Sequence, residues 1–277
     1  MPEIVRSSDE TPIAFERSGG GPPLIIIDGA IAYREVGPSG KLADELSHRF
    51  TVYRYDRRGR GQSGDASTYS IQREIDDIQA LTAQAGAPVS LLGISSGAVL
   101  ALDAANRGLA LTKVVAYEAP FIVDDSRTPA QADYREQLER LIQENRPGDA
   151  VKLFMRFVGL PRFLIATMPL FPAWKKLKAA APTLVYDATV MEGTQAGRPL
   201  PAGRWAAAGL PVLVADGTKS PTWLHRASDA VAAILPNATR RSIDGADHMV
   251  QAGRVAPVVA SFLADSPTGR TGAGRSR

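Results

Sequence analysis

Short apolar runs separated by amphipathic stretches recur along the chain, and the period of each stretch separates strand from helix. Leu24 to Ile27, Thr51 to Tyr55, Val89 to Leu92, Lys113 to Tyr117, Pro211 to Ala215 and Thr239 to Ile243 read as strands. Most are rich in Val, Ile and Leu without strict alternation, the pattern of strands covered on both faces. Between them, Ile71, Ile75 and Ile78 fall at helical spacing, and Ala98 to Arg107 reads as a helix closed by Gly108. Thr222 to Leu235 and Val255 to Leu263 are also expected to be helical. Strand alternating with helix predicts an α/β fold with a mostly parallel central sheet flanked by helices. Near the N-terminus, Glu3 to Arg6 and Ile13 to Arg17 flank Ser7-Ser8-Asp9-Glu10, which predicts a hairpin at one sheet edge.

The rhythm breaks between residues 119 and 209, where roughly ninety residues separate two strands that a short crossover could join. Gln131 to Gln143, Ala150 to Val158, Trp174 to Ala181 and Leu184 to Met191 read as amphipathic helices, punctuated by Pro147, Pro161, Pro169, Pro172 and Pro182. An inserted helical cap follows. The expected division is a core of residues 1–118 and 210–265, a cap of 119–209, and a disordered tail of 266–277. The cap's aromatic and methionine side chains (Phe154, Met155, Phe157, Phe163, Met168, Phe171, Trp174, Tyr186 and Met191) could line an apolar pocket. They serve equally well as the cap's own core, because each helix must bury one face.

Composition narrows the class. With 277 residues, 44% hydrophobic and 22% charged, the chain has the make-up of a globular protein. It contains no cysteine, which excludes disulfides and thiolate metal sites and fits a reducing cytoplasm, its expected location. The first residues lack the basic-then-apolar pattern of a signal peptide, and no apolar run approaches the about 18 residues that span a bilayer. Neither secretion nor a membrane partner is expected. The net charge of +3 is small, and part of it belongs to Arg270, Arg275 and Arg277. Arg54, Arg57, Arg58 and Arg60 form a cluster without interleaved aromatics or a nucleic-acid module, so they are expected to be solvated loop arginines with no nucleic-acid partner.

The chemistry centres on Gly93-Ile94-Ser95-Ser96-Gly97, between the apolar run ending at Leu92 and the helix-prone Ala98 to Leu102. Strand, tight turn and helix with a serine at the apex form a nucleophile elbow. The same residues also fit a helix N-cap serine in a glycine-rich turn. A serine needs a base within hydrogen-bond reach, normally a histidine oriented by a carboxylate. There are three histidines. His48 lies in a helical segment and His225 in a surface helix, whereas His248 follows the last strand in the loop Asp244-Gly245-Ala246-Asp247-His248-Met249. His248 is the expected base.

Taken together, these features resemble the α/β-hydrolase superfamily from about Ile13 to Leu263. The resemblance rests on the elbow, on Asp56-Arg57-Arg58-Gly59-Arg60-Gly61-Gln62-Ser63 against the family's Asp-x-Arg-Gly-x-Gly-x-Ser, on Asp28-Gly29-Ala30 after a strand, on the cap, and on the late Gly-x-x-His. It implies an oxyanion hole built from the backbone N–H groups of Ala30 and Ser96. Two departures stand out. Most relatives have His-Gly where this chain has Asp28-Gly29, so an inward-facing carboxylate would oppose the oxyanion. The family's usual Gly-Asp-x-Asp acid segment reads Asp216-Gly217-Thr218-Lys219-Ser220-Pro221, which puts Ser220 in the acid's place.

Some relatives carry the acid one strand earlier, and that position is Glu118. Asp216 is the alternative, followed by Asp124, Asp244 and Asp247 or no acid at all. Either strand-end carboxylate could instead cap a neighbouring helix. The resemblance implies a serine hydrolase that cleaves a carboxylic ester, thioester or lactone of a mainly apolar small molecule through an acyl-enzyme. Ser95, His248 and Glu118 would be its catalytic set, with no metal or organic cofactor. An acyltransferase or cyclising thioesterase is the nearest alternative, and a non-hydrolytic ligand-binding, lyase or isomerase descendant of the fold is another.

Overall fold

A computed structural model describes residues 2–265, so the tail expected to be disordered lies outside the described residues. The strands are β1 (Glu3–Arg6), β2 (Pro12–Ser18), β3 (Pro23–Ile27), β4 (Thr51–Tyr55), β5 (Val89–Ile94), β6 (Leu111–Tyr117), β7 (Val212–Gly217) and β8 (Ala238–Ile243). They form one sheet in the order β1-β2-β4-β3-β5-β6-β7-β8. β1 and β2 make the expected antiparallel hairpin, β2 runs antiparallel to β4, and every pairing from β4 to β8 is parallel.

The helices are α1 (Ser39–Leu46), α2 (Ile71–Ala85), α3 (Ser96–Asn106), α4 (Tyr134–Gln143), α5 (Pro147–Phe157), α6 (Arg162–Thr167), α7 (Ala173–Ala180), α8 (Leu184–Val190), α9 (Thr222–Ile234) and α10 (Ala252–Ala264). Side chains alternate across each strand, so β3 divides between two cores. Ile25 and Ile27 join Leu91, Val114 and Val212 beneath α2, α3 and α9. Leu24 and Ile26 join Leu92, Val115 and Leu213 beneath α1 and α10. Burial on both faces is why these strands read as unbroken apolar runs.

Helices α4 to α8 all lie between β6 and β7. A third apolar cluster joins Leu138 of α4, Val151 of α5, Ala180 of α7 and Leu184 of α8 to Ile31 and Tyr33, which follow β3. The insertion thus packs on the loop leaving the third strand, at the carboxyl edge of the parallel strands. Open α/β sheets bind their ligands at that edge. No described helix is long and apolar enough to cross a membrane.

Candidate active site

Ser95 adopts φ 56° and ψ −124°, a backbone conformation that costs about 1–3 kcal/mol. Close packing imposes it. A Cβ on Gly93 would lie 2.5 Å from Ala98 Cα, and one on Gly97 would lie 2.8 Å from the Asp28 carbonyl oxygen. Only glycine lets β5 and α3 approach β3 and each other so closely. The Ser95 hydroxyl does not cap α3, so the N-cap alternative is not realised. Its backbone N–H instead donates to Tyr117 O at 2.9 Å, extending the β5–β6 ladder by one residue.

That extension places Glu118 on the neighbouring strand. Its N–H donates to Ala215 O at 2.9 Å, and its side chain is fully buried. Glu118 Oε2 accepts from His248 Nδ1 at 2.8 Å, while Oε1 accepts from Gly217 N at 2.8 Å and from the Ser220 hydroxyl. A carboxylate can only accept, so Nδ1 carries the proton and Nε2 of the half-exposed imidazole is left as the acceptor. The His248 loop is held from two strands. Tyr117 Oη donates to Asp247 O at 2.8 Å, and Lys219 N donates to Ala246 O at 3.0 Å. Gly217 permits this fit, because a Cβ there would lie 2.5 Å from Asp247 N.

The competing carboxylates have other partners. Asp216 is fully buried, accepts from His225 Nδ1 at 2.7 Å, and pairs with Arg240. Asp124 accepts from Ser126 N at 3.0 Å, and Asp247 Oδ1 from Met249 N at 2.8 Å and Gln251 Nε2 at 2.7 Å. Asp244 Oδ1 faces the Thr218 hydroxyl at 3.4 Å. Among the described residues, Glu118 is the carboxylate on His248. Among the described residues Ser95 Oγ makes no side-chain hydrogen bond, so its link to His248 is not formed in this state. Serine–base hydrogen bonds are often long or misaligned until substrate binds.

Ala30 N and Ser96 N have no acceptor among the described residues, which leaves both free to bind an anion. Asp28 Oδ1 is 3.5 Å from where a Gly37 Cβ would sit and has no hydrogen-bond partner among the described residues. Burial pushes the Asp28 carboxyl up to about 6, against the lowering charges of Arg60, Arg54 and Arg57.

The expectation of solvated loop arginines is wrong for three of the four. Arg57, Arg58 and Arg60 are almost completely buried. Arg58 pairs with Asp77 at 2.7 Å, and Arg57 pairs with both Glu74 at 2.5 Å and Asp187 at 2.8 Å. Arg60 reaches Asp187 at 2.6 Å. Burial favours neutral forms here, but Glu74 and Asp187 outweigh it and hold Arg57 well above its ordinary value. Arg60 and Arg57 likewise outweigh it and hold Asp187 below its own. Burial and the neighbouring Arg57 charge lower Arg60. Sequence reasoning missed Asp187 altogether. The available signal was one acid in the otherwise uncharged helix Leu184-Val185-Tyr186-Asp187-Ala188-Thr189-Val190.

The insertion's apolar side chains divide between two fates. Phe154, Met155, Met168 and Trp174 pack on the cluster around Leu184, and Met191 joins the main core. Phe157 packs at a tilt against Tyr134, and Tyr186 stacks on Tyr69. Phe163 and Phe171 are 69% and 61% exposed, which excludes them from any closed pocket wall in this state.

The chain matches known proteins. The model of the alpha/beta hydrolase family matches residues 21–260. The chain belongs to the alpha/beta hydrolase family. With membership comes the class, an enzyme of hydrolase type. An alpha/beta hydrolase from Sphaerobacter thermophilus is similar at 43% identity and TM-score 0.86, over 94% of this chain and all of that one. A thermophilic esterase from Thermogutta terrifontis shares the fold at 20% identity and TM-score 0.70, over 95% of this chain and 98% of the esterase. The uncharacterized hydrolase YraK of Bacillus subtilis is 27% identical over 150 residues, 52% of this chain and 54% of that protein. That match therefore spans about half of the curated relative.

Proposed function

We propose that the protein is a serine hydrolase that cleaves a carboxylic ester, thioester or lactone of a small molecule through an acyl-enzyme. The observation that carries this reading is the His248 Nδ1 bond to buried Glu118, on the strand beside the elbow serine. In the reaction, Ser95 Oγ attacks the carbonyl carbon and its proton passes to His248 Nε2. The carbonyl π pair moves onto oxygen, and the Ala30 and Ser96 N–H groups receive that charge. Collapse expels the alcohol, thiol or ring oxygen with the proton from His248, leaving an ester on Ser95. Water then repeats the sequence and frees the acid. Glu118 keeps Nδ1 protonated and stabilises the imidazolium that forms. Helices α4 to α8 act as a cap over this edge.

Labelling with a fluorophosphonate, followed by hydrolysis of p-nitrophenyl butyrate, tests the reading. Stoichiometric modification of Ser95 that vanishes in His248→Ala, with kcat lowered at least about 10³-fold in Ser95→Ala, is expected. A second reading, a ligand-binding or lyase site that forms no acyl-enzyme, draws on the lack of a Ser95 Oγ hydrogen bond to His248 among the described residues. An unreactive Ser95 in folded protein would overturn the acyl-enzyme reading and point to that second one.

A further inference from the structure

Arg57 and Arg60 occupy variable positions of the Asp-x-Arg-Gly-x-Gly-x-Ser pattern, and both point at the loop that carries Ala30. Arg60 Nη1 donates to Gly29 O at 2.6 Å and Ala32 O at 3.0 Å, Nε to Thr183 Oγ1 at 2.9 Å, and Nη2 to Asp187 Oδ2 at 2.6 Å. Arg57 Nη1 bridges Asp187 Oδ1 at 2.8 Å and Asp28 O at 3.3 Å. From the other side, Ser96 Oγ donates to Asp187 Oδ1 at 2.7 Å. One carboxylate of α8 is thus joined directly to Ser96 and, through Arg60, to the Gly29–Ala30 peptide.

C=O and N–H point in opposite directions across a trans peptide. The bond that pins Gly29 O therefore aims the Ala30 N–H away from Arg60, and the guanidinium also polarises that peptide and strengthens its donor. Ser96 is fixed at its side chain, so its N–H cannot swing with the turn. The charges close on themselves: Arg57 and Arg60 face Glu74 and Asp187, with side chains no more than 6% exposed. Asp187 is consequently not a free negative charge behind an anion site.

We propose that Asp187 and Arg60 are positioning residues that preset both oxyanion donors, making the helical insertion a structural part of the reaction centre. The inference rests on the serine-hydrolase reading above. A displaced donor weakens only the interaction with the tetrahedral oxygen, so kcat falls while ground-state binding is kept.

The test uses the full chain and p-nitrophenyl butyrate, with rates expressed per site titrated by fluorophosphonate. Ser96→Ala keeps the N–H and all four charges and removes only the link to Asp187. Arg60→Lys keeps the charge but lacks the fork that spans four partners. We expect kcat per titrated site to fall about 10-fold in Ser96→Ala and about 100-fold in Arg60→Lys, with KM within about threefold of wild type. The affinity of a trifluoromethyl ketone, which forms a tetrahedral adduct on serine, should fall in parallel with kcat/KM. If both variants keep kcat per titrated site within about twofold, and lose only thermal stability or titratable fraction, the residues merely support the fold and the proposal is overturned. A different result, wild type that neither labels nor hydrolyses, would bring down the serine-hydrolase reading and this inference with it.

Discussion

Glu118 and Asp216 are both buried strand-end carboxylates, each bonded to a histidine Nδ1, yet their substitutions should behave differently. On the serine-hydrolase reading, Glu118→Gln removes the charge that orients His248 and should lower kcat by about 10²–10⁴-fold. Asp216→Asn weakens the contacts to His225 and Arg240, which costs about 1–3 kcal/mol of stability but leaves kcat within about threefold. Steady-state kinetics beside thermal unfolding separates the two outcomes. Asp28 gives a pH signature. Its folded value of about 6 exceeds the ordinary 3.8, so the folded state binds the proton more tightly than the unfolded chain. The stabilisation is fully present below about 3.8 and is lost as pH rises through 6, about 3 kcal/mol in all. Asp28→Asn should therefore raise the unfolding temperature at pH 8 and leave it nearly unchanged at pH 4. An equal change at both pH values would show that Asp28 does not hold its proton in this way.

At the scale of elements, the elbow depends on backbone contact rather than on side-chain packing. Gly97→Ala forces a methyl against the β3 backbone and should cost about 3 kcal/mol. Gly20→Ala meets nothing within 4 Å and should stay within about 0.5 kcal/mol. Urea unfolding of both variants measures the contrast. The elements legible in the sequence were those whose pattern is local. Leu24 to Ile27 and Val89 to Leu92 announce buried strands, and Gly93 and Gly97 announce the turn, because each signal spans a few residues. Helix α6 was not legible: six residues between Pro161 and Pro169 are too few to show a period. Glu118 could be proposed from its place after a strand, but only the folded chain separates it from Asp216.

Across the whole molecule, the buried ion pairs join parts of the chain that no local pattern connects. Arg57 meets Glu74 seventeen positions away and Asp187 one hundred and thirty away. Reading the Arg57, Arg58 and Arg60 cluster alone, a solvated loop was the natural inference, because burial is affordable only once such distant carboxylates arrive. Glu74→Gln should cost about 3–5 kcal/mol, since it leaves the buried Arg57 and Arg60 guanidiniums to share the single carboxylate of Asp187. Raising NaCl from about 0.05 to 0.5 M should leave that difference nearly intact, as buried pairs are poorly screened; a difference that melts away with salt would mark the pair as solvated.

The Ser220 hydroxyl rests on the same carboxylate that holds His248, although the two residues belong to successive crossings of the sheet. Two addresses in the chain thus open onto a single location in space, and that location alone has to carry the negative charge. On the serine-hydrolase reading, a carboxylate at residue 220 should then be able to stand in for the one at residue 118. Moving it back, in Glu118→Ala combined with Ser220→Asp, should recover part of the turnover that Glu118→Ala removes, and failure of that exchange would show that the vacated position has closed for good.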